Sequence, residues 1–388
     1  MSLHCPICAS AAAEDLDFRP EVPIAQNLLF RSERKALACP VATLRMVRCM
    51  VCGFAWNAAF DPALLVYGAD YENDQSHSPV FGAHLDAVAT HIGKRMAGLR
   101  DVAALELGCG QGDFLHRLAR VFEGRLRDLA GFDPAYRPGS PIPGGARIEP
   151  AYFTEESAAL LRTAPDLLVT RHVVEHVADP LSFLRAMRSV CAEGVPLFVE
   201  TPSVQWIVDE AAAHDLYYEH CSLFDAGSLR LALELSGFAV EEVSACFGGQ
   251  YLLATAVAAA DVAPALPVAR PSNADYPARK AGASERLAAA LERDAAAGER
   301  VALWGGASKS VTLALLLPGE QRASISAAID VNPVRSGTFM PVTALPVISP
   351  DAAQAAGVTK AYVVNPQYLS EIEILCSRRG WPLRLAIP

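Results

Sequence analysis

No apolar run in the 388-residue chain approaches the ~20 residues that a membrane-spanning helix needs. The longest tract, YLLATAVAAA at 251–260, stops at Asp261. The opening MSLHCPICAS has no apolar core of the kind a secretory leader carries. Both absences predict a cytoplasmic protein with no membrane partner. Positive charge is also short: 33 Lys and Arg stand against 43 Asp and Glu, a net charge of −10. An acidic chain without a dense basic stretch is poorly suited to nucleic acid, which is gripped through Lys and Arg on phosphates. Nothing in the sequence specifies an oligomeric state. Hydrophobic residues reach 52%, enough for sizeable cores, and the length suggests two or three domains at roughly 100–200 residues each.

Cysteine comes in pairs. CPIC (Cys5, Cys8) opens the chain and CMVC (Cys49, Cys52) follows. In a reducing compartment such pairs serve as metal ligands sooner than as disulfides. Each turn presents two sulfurs to one point, so four thiolates can surround Zn²⁺ tetrahedrally. The pairs lie forty residues apart, against about 15–20 in the common ribbon. An inserted loop of that length costs little closure entropy. Iron suits a four-thiolate site as well. We therefore expect a zinc-knuckle module over residues 1–58, structural and not catalytic, with Cys39 a spare ligand or core. Residues 59–80 follow as a polar loop carrying Tyr67, Tyr71 and Glu72.

From Val80 the pattern turns helical, with Leu85, Val88, Ile92 and Met96 on one face. His84 and His91 are expected on its solvated side. VAALELGCGQGDFLHRLARVF then reads as strand, glycine-rich turn and amphipathic helix. LAGFD, DLLVT and VPLFVETP supply further strands, and SLRLALELSGFAVEEVSA a helix then a strand. Alternating strands and helices predict an α/β fold with a doubly wound parallel sheet. This domain is taken as 59–257. Residues 258–284, rich in Ala and Pro without period, read as a linker. Residues 285–388 restart a smaller α/β unit through ERVALWGGASKS, ISAAIDVNP, LPVIS and KAYVVNP.

Glycines at 108, 110 and 112, between strand and helix, let the backbone approach a ligand. Glu106 precedes them, and Asp133 follows 25 residues after Gly108 at the next strand end, where a carboxylate can accept both ribose hydroxyls. A bare GxGxG is weakly specific, and dinucleotide enzymes use a near relative. The order Glu106, Gly108–Gly112, Asp133 resembles the class I S-adenosylmethionine-dependent methyltransferases. That resemblance implies the methionine part on the turn, the ribose on Asp133, and adenine beside Tyr152 and Phe153.

Two clusters carry candidate chemistry: RHVVEHV, with His172 and His176, and DLYYEHCSLF, with Tyr217, Glu219 and His220. Ligands of an open α/β sheet bind beyond the carboxyl ends of its strands, so His172 and its neighbours should face the cofactor. Methylating carbon beside a carbonyl needs a base near neutrality, which His supplies. It also needs donors to the developing enolate oxygen, which Tyr or His supplies. Tyr71, His176, Tyr217, Glu219 and His220 make such a set. Lys309, in GGASKS, sits at a predicted helix start, a natural anion site. Asp330 and Asn332 are turn formers or ligands.

Across nearly the whole chain the sequence resembles the three-domain, zinc-containing sugar C-methyltransferases of deoxysugar biosynthesis. The matching stretches are the CxxC pairs, ELGCGQGD, HVVEHV, YYEHCSLFDAGSL, GGASKS, IDVNP and VVNP. The resemblance implies a structural zinc on the four cysteines. It implies S-adenosylmethionine in the middle domain and a nucleotide-linked keto sugar held partly by the C-terminal domain; Lys309, a substrate contact or a plain helix-start lysine, and Asp330 are that domain's own substrate-binding candidates. By it, His220 paired with Glu219 is the base, Tyr217 and His176 stabilise the enolate, and Tyr71, in the 59–80 active-site loop, closes over substrate. The chain departs from the family at CFGGQYLLA, where Phe247 precedes the glycines and no Arg follows, at ENDQSHS, and at Arg171 and His172. The alternative on the same scaffold is an O- or N-methyltransferase of a natural-product or polysaccharide pathway, with His220 deprotonating a hydroxyl.

Overall fold

The computed structural model describes residues 3–65, 71–138, 145–267 and 272–388; Tyr67 lies outside them. Near the N-terminus, β1 (Ala13–Pro23) and β2 (Val41–Cys49) form a long antiparallel hairpin, and β3 (Ala55–Asn57) extends it. This hairpin fills the forty-residue gap between the cysteine pairs. Ala13 faces Cys49 across the ladder, so strand pairing brings CPIC back beside CMVC.

The central sheet carries β4 (Val102–Leu107), β5 (Leu126–Phe132), β6 (Arg147–Glu149), β7 (Leu167–Arg171) and β8 (Pro196–Pro202) in parallel. Every residue of β4 is buried, as a middle strand covered on both faces requires. The short β9 (Ser222–Leu223) leaves this unit and pairs with β3, so the N-terminal sheet is completed by the middle domain. Then β10 (Phe238–Cys246) and β11 (Tyr251–Ala258) add as an antiparallel pair beside β8. The order is β10-β11-β8-β7-β4-β5-β6. Strand order reverses at β4 and β7, the switch point where open α/β sheets bind ligands.

A third sheet contains β12 (Val301–Trp304), β13 (Ile325–Ile329), β14 (Thr338–Phe339), β15 (Pro346–Ile348), β16 (Lys360–Val363) and β17 (Arg384–Ala386). Its order is β14-β15-β13-β12-β16-β17, parallel except for β14.

The expected linker 258–284 ends early. A helix runs Tyr276–Ala296 with Pro in its first turn, and Tyr276 is fully buried among Leu16, Leu44 and Val208. Proline fits the first turn of a helix, where its missing N–H has no partner to lose. Packing of Tyr276 then anchors a segment whose composition alone reads as irregular. No helix among the described residues is long and apolar enough to cross a membrane.

Candidate active site

At the switch point the chain leaves β4 through Gly108, Gly110 and Gly112, with φ of 74°, 56° and 91°. A Cβ on Gly108 would lie 1.9 Å from Val173 Cγ2, so a side chain there would force the turn away from the end of β7. Gly112 caps the helix Asp113–Val121. Glu106 is buried beneath this turn, and burial pushes its carboxyl up to about 8. Its Oε2 has no hydrogen-bond partner among the described residues. Asp133 accepts the Gly110 N–H on Oδ2 at 2.7 Å and the Ala135 N–H on Oδ1 at 2.8 Å. Burial raises its carboxyl as well. Phe153 is buried edge-on against Phe132 at 5.2 Å, while Tyr152 is 56% exposed. These residues fit S-adenosylmethionine: a turn whose first glycine leaves no room for a side chain, a buried carboxyl oxygen without a partner among the described residues, and a second carboxylate fixed by two backbone donors.

The same cavity, about 1240 Å³, continues past Tyr71, His172, His176, Tyr217 and His220 to the C-terminal domain. Glu219 is buried behind it. Its Oε2 accepts the Tyr71 hydroxyl at 2.7 Å and lies 4.0 Å from His176 Nδ1, and its Oε1 accepts the Gln26 N–H at 2.9 Å. Burial and the Glu219 charge push the Tyr71 phenol well up. Glu219 thus backs Tyr71 and His176; the expected His220–Glu219 pair is not among its contacts. His220 instead packs its ring edge-on against His176 at 4.7 Å and Tyr217 at 4.6 Å. Its Nδ1 is buried with no hydrogen-bond partner among the described residues. Burial, then the charges of His176, His172 and Lys309, push this imidazole well below its ordinary range. It is therefore neutral and able to accept a proton.

Tyr217 donates its hydroxyl to Asp215 Oδ1 at 2.6 Å, and the Lys309 ammonium grips Asp215 Oδ2. Burial raises Tyr217 well above its usual value, and Asp215 adds to it. Lys309 also reaches Gln250 Oε1 at 3.3 Å and lies 5.4 Å from the Trp206 ring centre. The expected anion-binding lysine is thus paired with a carboxylate of the neighbouring domain. Asp330 accepts the N–H groups of Gly306 and Asn332, both at 2.8 Å. It repeats in the third sheet what Asp133 does in the second.

His172 lines the cavity wall with φ of 54°, its Nδ1 3.3 Å from Glu175 and its ring edge-on to Tyr251 at 4.5 Å. His84 is not solvated as expected. It is held on Glu200, whose second oxygen accepts Arg171 Nε–H at 2.6 Å. Helix periodicity shows a polar residue on the rim of the apolar face; it cannot show the buried acid waiting on β8. Asp215, Glu175, Gln26 and Asn27, which donates to the Tyr71 oxygen at 3.3 Å, were also invisible to sequence reasoning. Of these, Asp215 and Glu175 carried a signal, Asp215 two residues before Tyr217 and Glu175 directly before His176, each in a stretch already singled out.

Away from the cavity, the sulfurs of Cys5 and Cys52, and of Cys8 and Cys49, lie 3.5 Å apart. All four fall within 4.8 Å of one another. A disulfide needs about 2.05 Å. Thiolates about 2.3 Å from a tetrahedral metal stand roughly 3.8 Å apart. The N–H groups of Val51 and Cys52 donate to Cys49 Sγ at 3.4 and 3.5 Å. The set fits a four-thiolate metal.

Residues 81–243 match the methyltransferase domain family, and residues 272–374 match the C-methyltransferase C-terminal domain family. No curated protein matches the chain. Among solved structures, the CurJ carbon methyltransferase is 17% identical over 48% of this chain and 57% of its own, with a TM-score of 0.37. The chain thus spans just over half of that protein. The mitomycin 7-O-methyltransferase MmcR is 17% identical over 45% of this chain and 54% of its own, TM-score 0.34. The N-methyltransferase NodS from Bradyrhizobium japonicum WM9 is 16% identical over 47% and 98%, TM-score 0.34.

Proposed function

Because the chain is a class I S-adenosylmethionine-dependent methyltransferase, we propose that it methylates carbon beside the ketone of a nucleotide-linked keto sugar or similar activated substrate. The observation that carries this reading is His220, a half-buried imidazole in the cavity that also holds the glycine turn, with a buried Nδ1 that no described residue engages and a pKa pushed well below its ordinary range. Glu106, Gly108, Gly110, Gly112 and Asp133 hold the cofactor, with Tyr152, Phe153 and His172 beside it. S-adenosylmethionine, when bound, supplies an electrophilic methyl group. His220 takes the proton from the carbon next to the ketone, and the electron pair moves onto the oxygen as an enolate. His176, steadied by Glu219, meets that oxygen. Tyr217, whose hydroxyl donates to Asp215, packs against His220 and turns that donor to the enolate oxygen when substrate binds. Tyr71 closes the loop side. The enolate carbon takes the methyl as its bond to the sulfonium sulfur breaks, the bonding pair returning to sulfur in the departing thioether S-adenosylhomocysteine; the carbonyl re-forms, and His220 gives the proton up to solvent. The nucleotide part of the substrate lies toward Gly305, Gly306, Lys309 and Asp330. Four thiolates at Cys5, Cys8, Cys49 and Cys52 hold a structural zinc.

The test incubates the protein with S-adenosylmethionine and a panel of nucleotide-linked keto sugars in D₂O. Exchange of one substrate proton and a new carbon-bound methyl are expected, both falling at least ~100-fold in His220→Ala, the usual scale for a general base. A new methyl on oxygen or nitrogen, with no exchange in the absence of methyl transfer, moves the acceptor away from carbon.

A further inference from the structure

Glu175, His176 and His220 bring one carboxylate oxygen and two imidazole nitrogens within 4.8 Å of one another. Two histidines and one carboxylate facing an open cavity are a donor set suited to divalent transition metals. Metal ligands are ordinarily steadied from behind by further carboxylates and hydroxyls, and that outer layer is present here. Glu219 lies 4.0 Å from His176 Nδ1. Thr201 donates to Glu175 Oε2 at 3.1 Å, and His172 Nδ1 lies 3.3 Å from Glu175 Oε1. His220 offers a buried nitrogen that no described residue engages. Drawing three such donors onto a metal with bonds of about 2.1 Å needs them roughly 3.4 Å apart, a contraction of at most about 1.4 Å. A second cluster, His84, Glu200 and Cys246, is also gathered within 4.8 Å, but Arg171 already occupies Glu200 at 2.6 Å. A guanidinium stands there in the place of a cation. The partners of Glu175 are instead Thr201 and His172, and no Arg or Lys among the described residues forms an ion pair with it.

We propose that Glu175, His176 and His220 form a second metal site, distinct from the four cysteines, which binds a divalent transition cation such as Zn²⁺ or Co²⁺. Its consequence for turnover rests on the proposed reaction: a metal on His220 occupies the imidazole that must accept the α-proton. The cation is then an inhibitor that competes with proton transfer. Binding itself does not depend on what the substrate is.

The test titrates Co²⁺ into the full-length protein with zinc left on the thiolates. One further Co²⁺ per chain is expected, with the visible absorption of nitrogen and oxygen ligands and no thiolate-to-cobalt charge transfer. Glu175→Gln, His176→Gln and His220→Asn should each weaken it tenfold or more, while their thermal unfolding shows whether each variant is folded. Three separate ligands leave the answer intact if one variant fails to fold. No uptake beyond the thiolates, uptake by thiolates alone, or equal uptake in the folded variants overturns the site. Uptake as expected without any keto-sugar exchange leaves the site standing and removes the proposed reaction.

Discussion

Glu106 is a carboxylate in an unusual state for a binding residue. Burial favours its neutral form up to about pH 8, and one oxygen has no partner among the described residues. The unfolded chain would release that proton near pH 4.3. The folded state binds more protons between those values, so this group's stabilising effect is full below about pH 4 and fades as pH rises through 8. A bound cation reverses the bias: the sulfonium or the ammonium of S-adenosylmethionine favours the carboxylate. Binding at pH 7 should therefore release about one proton. Calorimetry in buffers of different ionisation enthalpy measures it, and Glu106→Gln should remove the release. Buffer-independent heats in the wild type would mean that Glu106 does not meet the cofactor's charge. Glu106 and Asp133 were legible because the turn, the strand end and the 25-residue spacing are local. Glu175 and Asp215 were not. Their roles come from side chains on other strands and another domain, and no spacing rule connects Asp215 to Lys309.

At the scale of elements, the paired cysteines were legible and the hairpin between them was not. Strands β1 and β2 alternate irregularly, with register shifts at Asp15–Asp17 and Arg19–Val22, which blurs the period-two signal. What they build matters beyond metal binding. The hairpin is followed by Gln26 and Asn27, whose contacts with Glu219 and Tyr71 reach the active site. Arg48, fully buried on β2, is held by Asp225, Gln205 and Asn273. The module is thus part of the site's wall. Because metal binding to such thiolates is itself folding free energy, stripping the metal should loosen this whole unit. About one zinc per chain is expected by elemental analysis. Chelation under denaturant, or Cys8→Ser, should lower the unfolding midpoint by several degrees, the size that a loss of about 1 kcal/mol or more produces in a domain. Methyl transfer should fall further than S-adenosylmethionine affinity, since the module touches Glu219 and Tyr71 and not the glycine turn. Metal-free protein with an unchanged midpoint would remove the zinc from the account.

Across the whole molecule, the cavity is lined from the C-terminal domain as well as the middle one, and that domain is docked on both the middle domain and the N-terminal module. Ser78 donates to Glu371 at 2.7 Å, Gln26 to Thr312 at 2.8 Å, Gln250 to Asn365 at 2.7 Å, and Arg335 to Asn27 at 2.9 Å. Among the described residues, the ion pair of Lys309 with Asp215 crosses the domains and also touches the proposed catalytic set through Tyr217. Both groups are mostly buried, at 21% and 12% side-chain exposure. Burial raises the Asp215 carboxyl, but Lys309, His214 and Tyr217 outweigh it and hold the group below its ordinary range. The pair's contribution is present above about pH 4 and is lost as pH falls through the lower folded value. Lys309→Met leaves Asp215 charged, buried and unpaired. Removing one partner of a fully buried pair costs about 3–5 kcal/mol, and partial exposure here reduces that to roughly 1–3 kcal/mol. Asp215→Asn added to Lys309→Met should restore most of the loss, because no charge is then stranded. Denaturant unfolding of the two single variants and the double variant measures this coupling. Additive losses would mean that the pair is incidental to docking. A large coupling, with keto-sugar turnover falling in Lys309→Met while S-adenosylmethionine affinity holds, would make the lysine of the C-terminal domain a positioning residue. It would act through Asp215 on Tyr217.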